Sequence, residues 1–223
     1  MIEEADEAVT AARGVAQGLS GRVRVSAAVC FARLHIVPKL PIFLEAHPGV
    51  EVDLLLEDRN VDLVEEGVDV ALRMGAITDP NMTVRKIAER RRLVMATPDY
   101  FARQGRPETP ADLIAHQAVI YTREHPSDAF SFRRDGIETS VSISGRVRIS
   151  ATEGLRAAVL AGVGLTVASE FAFAPELKSG EVEPVLLDWS LPPITLSALY
   201  PTGRMAASKA RAFVAFVEDC LKQ

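Results

Sequence analysis

Apolar and polar positions change period several times along the 223 residues. In the opening stretch Ile2, Ala5, Val9, Ala12, Ala16 and Leu19 recur at alternating steps of three and four, a heptad-like stripe with charges between. It is mostly alanine and is weakened by Gly14 and Gly18, so it predicts a short amphipathic helix that needs a partner to bury its face. Alternation then takes over: "RVRVS", Arg22 to Ser26, reads as a half-buried strand. Ile36, Leu40, Phe43 and Leu44 return to helical spacing and predict a helix ending at "HPG". Pro38 suits its first turn, whereas Pro41 predicts a kink or a late start. "VEVDLLLE" is a strand, "DLVEEG" a short helix closed by Gly67, and "VDVALRM" another strand. Strands and helices alternating this closely predict a parallel sheet covered by helices.

After "RRRLVMATPDY" a second unit opens, with Pro98, Pro107 and Pro110 punctuating short helices. "AVIYT", "FSFRR" and "TSVSISGRVRIS" read as strands, with "RDG" as a hairpin turn. Ser150 and Glu153 form the S-x-x-E of a capping box for the helix "ATEGLRAAVLAG", which Gly162 ends. "VGLTVAS" is a buried strand and "ITLSALYP" the last one. The closing "SKARAFVAFVEDCLK" is amphipathic, with Ala210, Phe213, Val214 and Val217 on one face.

Composition narrows the function. A net charge of -5 argues against these residues gripping a phosphate backbone. Mean hydropathy is +0.13, yet no run approaches the roughly 18 apolar residues a membrane span requires, so no membrane role is expected. The acidic start "MIEEADEAVTAARG" lacks the apolar segment of a secretory signal, and two cysteines agree with a reducing compartment. A cytoplasmic location follows as the expectation.

Candidate chemistry centres on "SAAVC", Ser26 to Cys30, between a strand and a helical run. A cysteine at a helix N-terminus can have a lowered thiol pKa, but a nucleophile also needs a base and an orienting partner, which the sequence does not place. Cys30 reads as a small residue lining or supporting a pocket. His35, His47, His116 and His125 lack metal-ligand spacing. Gly162 and Gly164 in "AGVGLTVAS" lack a third glycine and follow a helix, so a dinucleotide site is rejected and no cofactor is expected. Arg90 to Arg92 read as a solvated turn. "SAAVC" and "SATEG" each lead from a strand into a helix N-terminus, where free N–H groups favour an anion or polar ligand. Ser150 capping its own helix is the plainer reading of the second.

Four stretches in order carry a resemblance. They are "GRVRVSAAVCFARLHIVPKLPIFLEAHPGVEVDLLLEDRNVDLVEEGVDVALRMG", "ERRRLVMATPDYFARQGRPETPADLIAH", "GLRAAVLAGVGLTVAS" and "ALYPTGRMAASKARAFVAFVE". The chain from Gly21 to Gln223 resembles the effector-binding domain of a LysR-type transcriptional regulator, and residues 1–20 resemble the end of that family's linker helix. Phe130 stands where many relatives carry tryptophan, and Ser150-Ala151 where they carry Val-Asn.

The resemblance implies an α/β fold of two Rossmann-like subdomains joined by two crossover strands, like type II periplasmic binding proteins. Residues 21–96 with 194–223 would form subdomain I and 97–193 subdomain II. A small-molecule effector would sit between them, near Ser26, Ala27, Val29, Cys30, Phe31, Glu57, Arg73, Met74, Thr122, Thr152, Glu153 and Phe171. Arg73 and the two helix N-termini suit a carboxylate, which Glu57 and Glu153 would oppose. DNA would be bound only through a winged helix-turn-helix domain missing before Met1. The chain would form a homodimer, or a tetramer at full length, through the helix from Ile36 to Ala46 and its neighbouring strand. A solute-binding receptor of a transport system shares this architecture and is the alternative; an enzyme is disfavoured for want of a nucleophile and base.

Overall fold

The computed structural model describes residues 18–59, 62–77, 82–122, 129–201 and 207–222. The heptad-like stripe up to Ala16 therefore lies outside the described residues. β1 (Ser20–Ala27) buries Val23 and Val25 and turns Arg22 outward. It feeds an unbroken helical stretch: α1 (Val29–Phe31), a π-turn (Ala32–Ile36), a 3-10 turn (Val37–Lys39) and α2 (Leu40–Ala46). The helix thus begins seven residues before Ile36. The π-turn inserts a residue and shifts the apolar phase, which hides the first turns from a 3.6-residue period. Pro38 and Pro41 each stand in the first positions of a new helical segment, where a missing N–H costs little. β2 (Gly49–Leu56) follows. The helix expected at "DLVEEG" is instead a turn, with Asp62 Oδ1 accepting from the Val64 and Glu65 N–H groups at 2.9 and 3.1 Å. Five residues closed by Gly67 (φ 62°) are too few to repay helix nucleation. β3 (Val70–Met74) and β4 (Met82–Arg90) complete this part.

The chain then runs through β5 (Arg92–Ala96), α3 (Pro98–Gln104), a 3-10 turn (Pro110–Ala115), β6 (Val119–Tyr121), β7 (Ala129–Arg134), β8 (Ile137–Ser142) and β9 (Val147–Ile149). α4 (Thr152–Leu160), β10 (Thr166–Ser169), α5 (Ala174–Ser179) and β11 (Glu183–Val185) come next. β12 (Ile194–Pro201) and α6 (Ser208–Lys222) return to the first sheet. The "RDG" turn is found: Asp135 (φ 51°) and Gly136 (φ 79°) both take the left-handed conformation that joins β7 to β8. The capping box at Ser150 is not: Ala151 is the N-cap of α4, without a side-chain cap bond, and Glu153 is engaged elsewhere. Gly164 is a packing glycine, since a Cβ there would lie 2.5 Å from the Gln117 carbonyl oxygen.

The fold class is α/β, as expected, with two lobes. The first sheet has the order β2-β1-β3-β12-β4. Its β1, β2 and β3 are parallel, but β12 lies antiparallel to both β3 and β4, so the predicted parallel sheet is mixed. In the second lobe β10, β5 and β11 form one sheet; the Ala118–Leu165 bridge ties β6 and β9 to it. β5 belongs to this second sheet, so the chain changes sheets at Arg91, before the expected boundary at Ala96. Residues 90–92 are that crossover and not a solvated turn: Arg90 Nη2 donates to the Leu221 carbonyl at 2.8 Å and Arg91 pairs with Glu170 at 2.7 Å. α6 buries the predicted face of Ala210, Phe213, Val214 and Val217 against the first sheet. Among the described residues no helix is long and apolar enough to cross a membrane.

Candidate functional site

Parallel strands in register end together, and the region beyond their carboxyl ends is where open α/β sheets hold ligands. Ala27 aligns with Leu56 of β2 and Leu72 of β3. Ser26, Ala27, Val29, Glu57, Arg73 and Met74 therefore gather at one sheet end. Ser26 is fully buried, and its Oγ accepts from Arg73 Nη2 at 2.7 Å. The half-buried guanidinium also donates to the Leu72 carbonyl at 3.2 Å. Burial disfavours the charged form of Arg73, and the Glu57 carboxylate partly offsets this. Among the described residues no carboxylate lies within ion-pair distance of Arg73.

Ala27 is buried, and its carbonyl accepts from the Glu57 N–H at 3.0 Å, which fixes the loop after β2. Asp58 on that loop accepts from the Val29 N–H at 3.2 Å, so the first helix N-terminus already faces a carboxylate of the chain. Sequence reading did not single out Asp58; its one signal was a place two residues beyond β2. Glu57 itself pairs with Arg59. Met74 packs half-buried on the first-lobe core.

In the second lobe Thr122 and Thr152 follow the parallel strands β6 and β9, and the Thr122 N–H donates to the Ile149 carbonyl at 3.0 Å. Thr122 is exposed, and Thr152 is the half-buried first residue of α4. Glu153 turns to the other lobe and accepts both Arg33 Nε and Nη2, at 2.8 and 3.1 Å. Burial raises the Glu153 carboxyl, but Arg33 and Arg156 outweigh it and hold it below the usual range. Arg33 and Arg156, both missed in the sequence, lie on helical turns that only the π-turn start and the i, i+3 step from Glu153 bring into reach.

Five expected site residues are core. Ser26, Ala27, Cys30, Phe31 and Phe171 are all at most 3% exposed, so their side chains do not line an open surface. Burial foremost, then the Glu153 charge, pushes the Cys30 thiol up to about 12; it is a neutral thiol at physiological pH and unfit as a nucleophile. The described residues hold no cluster of His, Cys, Asp or Glu able to bind a metal.

Comparison with known proteins agrees with the fold. The family profile described as LysR substrate binding domain matches residues 16–221. The chain is 30% identical over 221 residues to the HTH-type transcriptional regulator PtxR of Pseudomonas aeruginosa, covering 99% of this chain and 71% of that one. It is 29% identical over 211 residues to the uncharacterised HTH-type regulator YhjC of Escherichia coli, covering 93% and 70%. CrgA, a LysR-type transcriptional regulator from Neisseria meningitidis, superposes with a TM-score of 0.82 at 25% identity over 100% of this chain and 76% of that one. The full-length virulence activator AphB of Vibrio cholerae superposes at 0.73 and 27% identity, covering 97% and 74%.

Proposed function

The chain belongs to the LysR substrate-binding-domain family, and from that premise we propose that it is the sensing part of a transcriptional regulator, binding a small carboxylate-bearing effector between its lobes. The observation that carries the carboxylate is Arg73. Its guanidinium is half-buried, oriented by the Ser26 hydroxyl, and supplied with neutral acceptors in place of an acid among the described residues. A planar fork held this way matches a carboxylate. Thr152 and the free N–H groups opening α4 supply the facing wall.

An effector acts by preferring one arrangement of the lobes, and the regulator passes that preference to DNA. DNA contact belongs to a helix-turn-helix unit outside these residues, in keeping with their net charge of -5. Self-pairing uses the stretch from Val37 to Leu44, where Val37, Ile42 and Leu44 are 41 to 59% exposed, a patch a two-fold axis would use twice. Sedimentation of a chain lacking residues 1–20 as a monomer would remove this pairing surface. For the effector, a thermal-shift screen of small organic acids is the test. A ligand at 100 times its Kd adds about 2.7 kcal/mol of stability. Arg73→Ala is expected to abolish the shift, and an acid whose shift survives that substitution sinks the assignment.

A further inference from the structure

The two lobes exchange anchors. Cys30 comes from the first lobe, yet it packs in a cluster of second-lobe residues that includes Leu93, Met95, Leu155, Val159 and Phe173. Its Sγ lies 3.9 Å from the Ala172 carbonyl oxygen. Phe171 comes from the second lobe, yet it packs in the first-lobe core with Phe31 and Ile36. Its ring meets Phe31 edge-on at 5.4 Å, His35 at 5.6 Å, and the Arg90 guanidinium lies 5.2 Å above it. The anchors are fastened on both sides. His35 Nε2 lies 2.7 Å from the Phe171 carbonyl oxygen, to which it donates, and Arg33 grips Glu153 with two nitrogens. Arg91 and Glu170 close the same side at the first crossover.

The π-turn is what aims these groups. Arg33 and His35 lie within it, and Phe31 and Cys30 just before it. Behind the anchors, Arg156 is 5% exposed and holds the Phe171–Phe173 segment by bonding the Ala172 carbonyl and Glu176 and by stacking on Phe173 at 5.4 Å.

We infer that this exchange clamps the lobes together beside the first crossover, so that they do not part there in the native state and a ligand can only twist one lobe on the other about the clamp. Interdigitated packing is bistable over small shifts and does not deform continuously, so a pinned edge turns ligand binding into rotation. The clamp stands independently of the proposed effector, and its test uses none.

Cys30 itself reports the parting of the lobes. In the whole chain carrying Cys220→Ser it is the one remaining thiol, and its alkylation by iodoacetamide follows exposure at the junction. The clamp predicts alkylation at least about 1,000-fold slower than in the urea-unfolded chain and with the unfolded thiol's pH dependence, because reaction requires a sub-global opening. Reaction of the buried thiol in place would instead keep rising toward about pH 12. Arg33→Gln should accelerate it severalfold by removing the ion pair alone, and Glu153→Gln by at least as much, since Glu153 also pairs with Arg156 at 3.7 Å and its charge raises the Cys30 thiol. Phe171→Leu should accelerate it further, and if that variant does not fold, the two polar substitutions still decide. Native-state alkylation within about tenfold of the unfolded rate would overturn the clamp, since it would mean sub-global opening is nearly free. So would slow alkylation that neither polar substitution changes.

Discussion

Two buried guanidinium groups have opposite surroundings. Arg156 is 5% exposed and answered in full: Glu176, itself 7% exposed, takes it with both oxygens, the Ala172 carbonyl takes another N–H, and Phe173 covers its face. Arg73 is half-buried, and among the described residues a hydroxyl and a carbonyl are what it meets. A charge kept out of water needs compensation. Arg156 receives it from the chain, which makes it a structural rivet for the lobe junction. Among the described residues Arg73 receives only part, which is the basis for proposing it as the effector's partner. The difference separates a fully compensated charge from a partly compensated one without reference to where either residue stands in the sequence.

The largest expected effect breaks the rivet. Glu176→Ala leaves the buried Arg156 charge with only the Ala172 carbonyl and a longer contact to Glu153 at 3.7 Å, which costs up to about 3–5 kcal/mol. Arg73→Ala removes two hydrogen bonds to neutral groups and should cost no more than about 1–2 kcal/mol, while abolishing acid-dependent stabilisation. Urea unfolding of the two variants side by side checks this. Equal losses would erase the distinction on which the site assignment rests.

Acid sharpens the same comparison, because the junction carries titrating groups and the Arg73–Ser26 contact does not. Burial lowers His35 from its ordinary 6.5, so the folded state favours the neutral ring while the unfolded state takes a proton first. Stability is then full above about pH 6.5 and is lost as pH falls toward the depressed folded value. Glu153, also depressed, loses its share at lower pH still, as its folded-state carboxyl protonates. His116, lowered by burial, adds to the neutral-range loss with the same sign. The urea midpoint should fall between neutral pH and about pH 5, with a shallower slope in His35→Gln that His116 keeps from vanishing. An unchanged slope would remove His35 from the junction's energetics.

What the sequence made legible was periodic. Strand alternation, the face of α6 and the Asp135-Gly136 turn follow from local rules that tertiary packing did not override. The antiparallel insertion of β12 depends on a chain return of more than 100 residues after β4, to which no local period is sensitive. The π-turn and the two prolines hid the true helix start. That Ser26 and Arg73 stand at one sheet end was legible because the resemblance fixes which strands end together. Side-chain destinations were not. Cys30 and Phe171 cross into the opposite lobe's core, and Glu153 leaves its expected cap for Arg33, choices made by neighbours more than 60 residues away.

The smallest expected effect refines the reading of Arg73. Glu57 is near enough to Arg73 to favour its charged form, but its oxygens are taken by Arg59 on an exposed loop. Its charge should therefore oppose an effector carboxylate weakly and through solvent. Glu57→Gln should tighten binding of whichever acid the screen identifies about two- to threefold at low salt, and the gain should fade as ionic strength rises and the Debye length shrinks below about 10 Å. Titration calorimetry at two salt concentrations reads both. Weaker binding in Glu57→Gln would mean that Glu57 contacts the effector as a hydrogen-bond acceptor; the ligand would then carry a donor beside its carboxylate, and Arg73 would share recognition with the acid across the strand end.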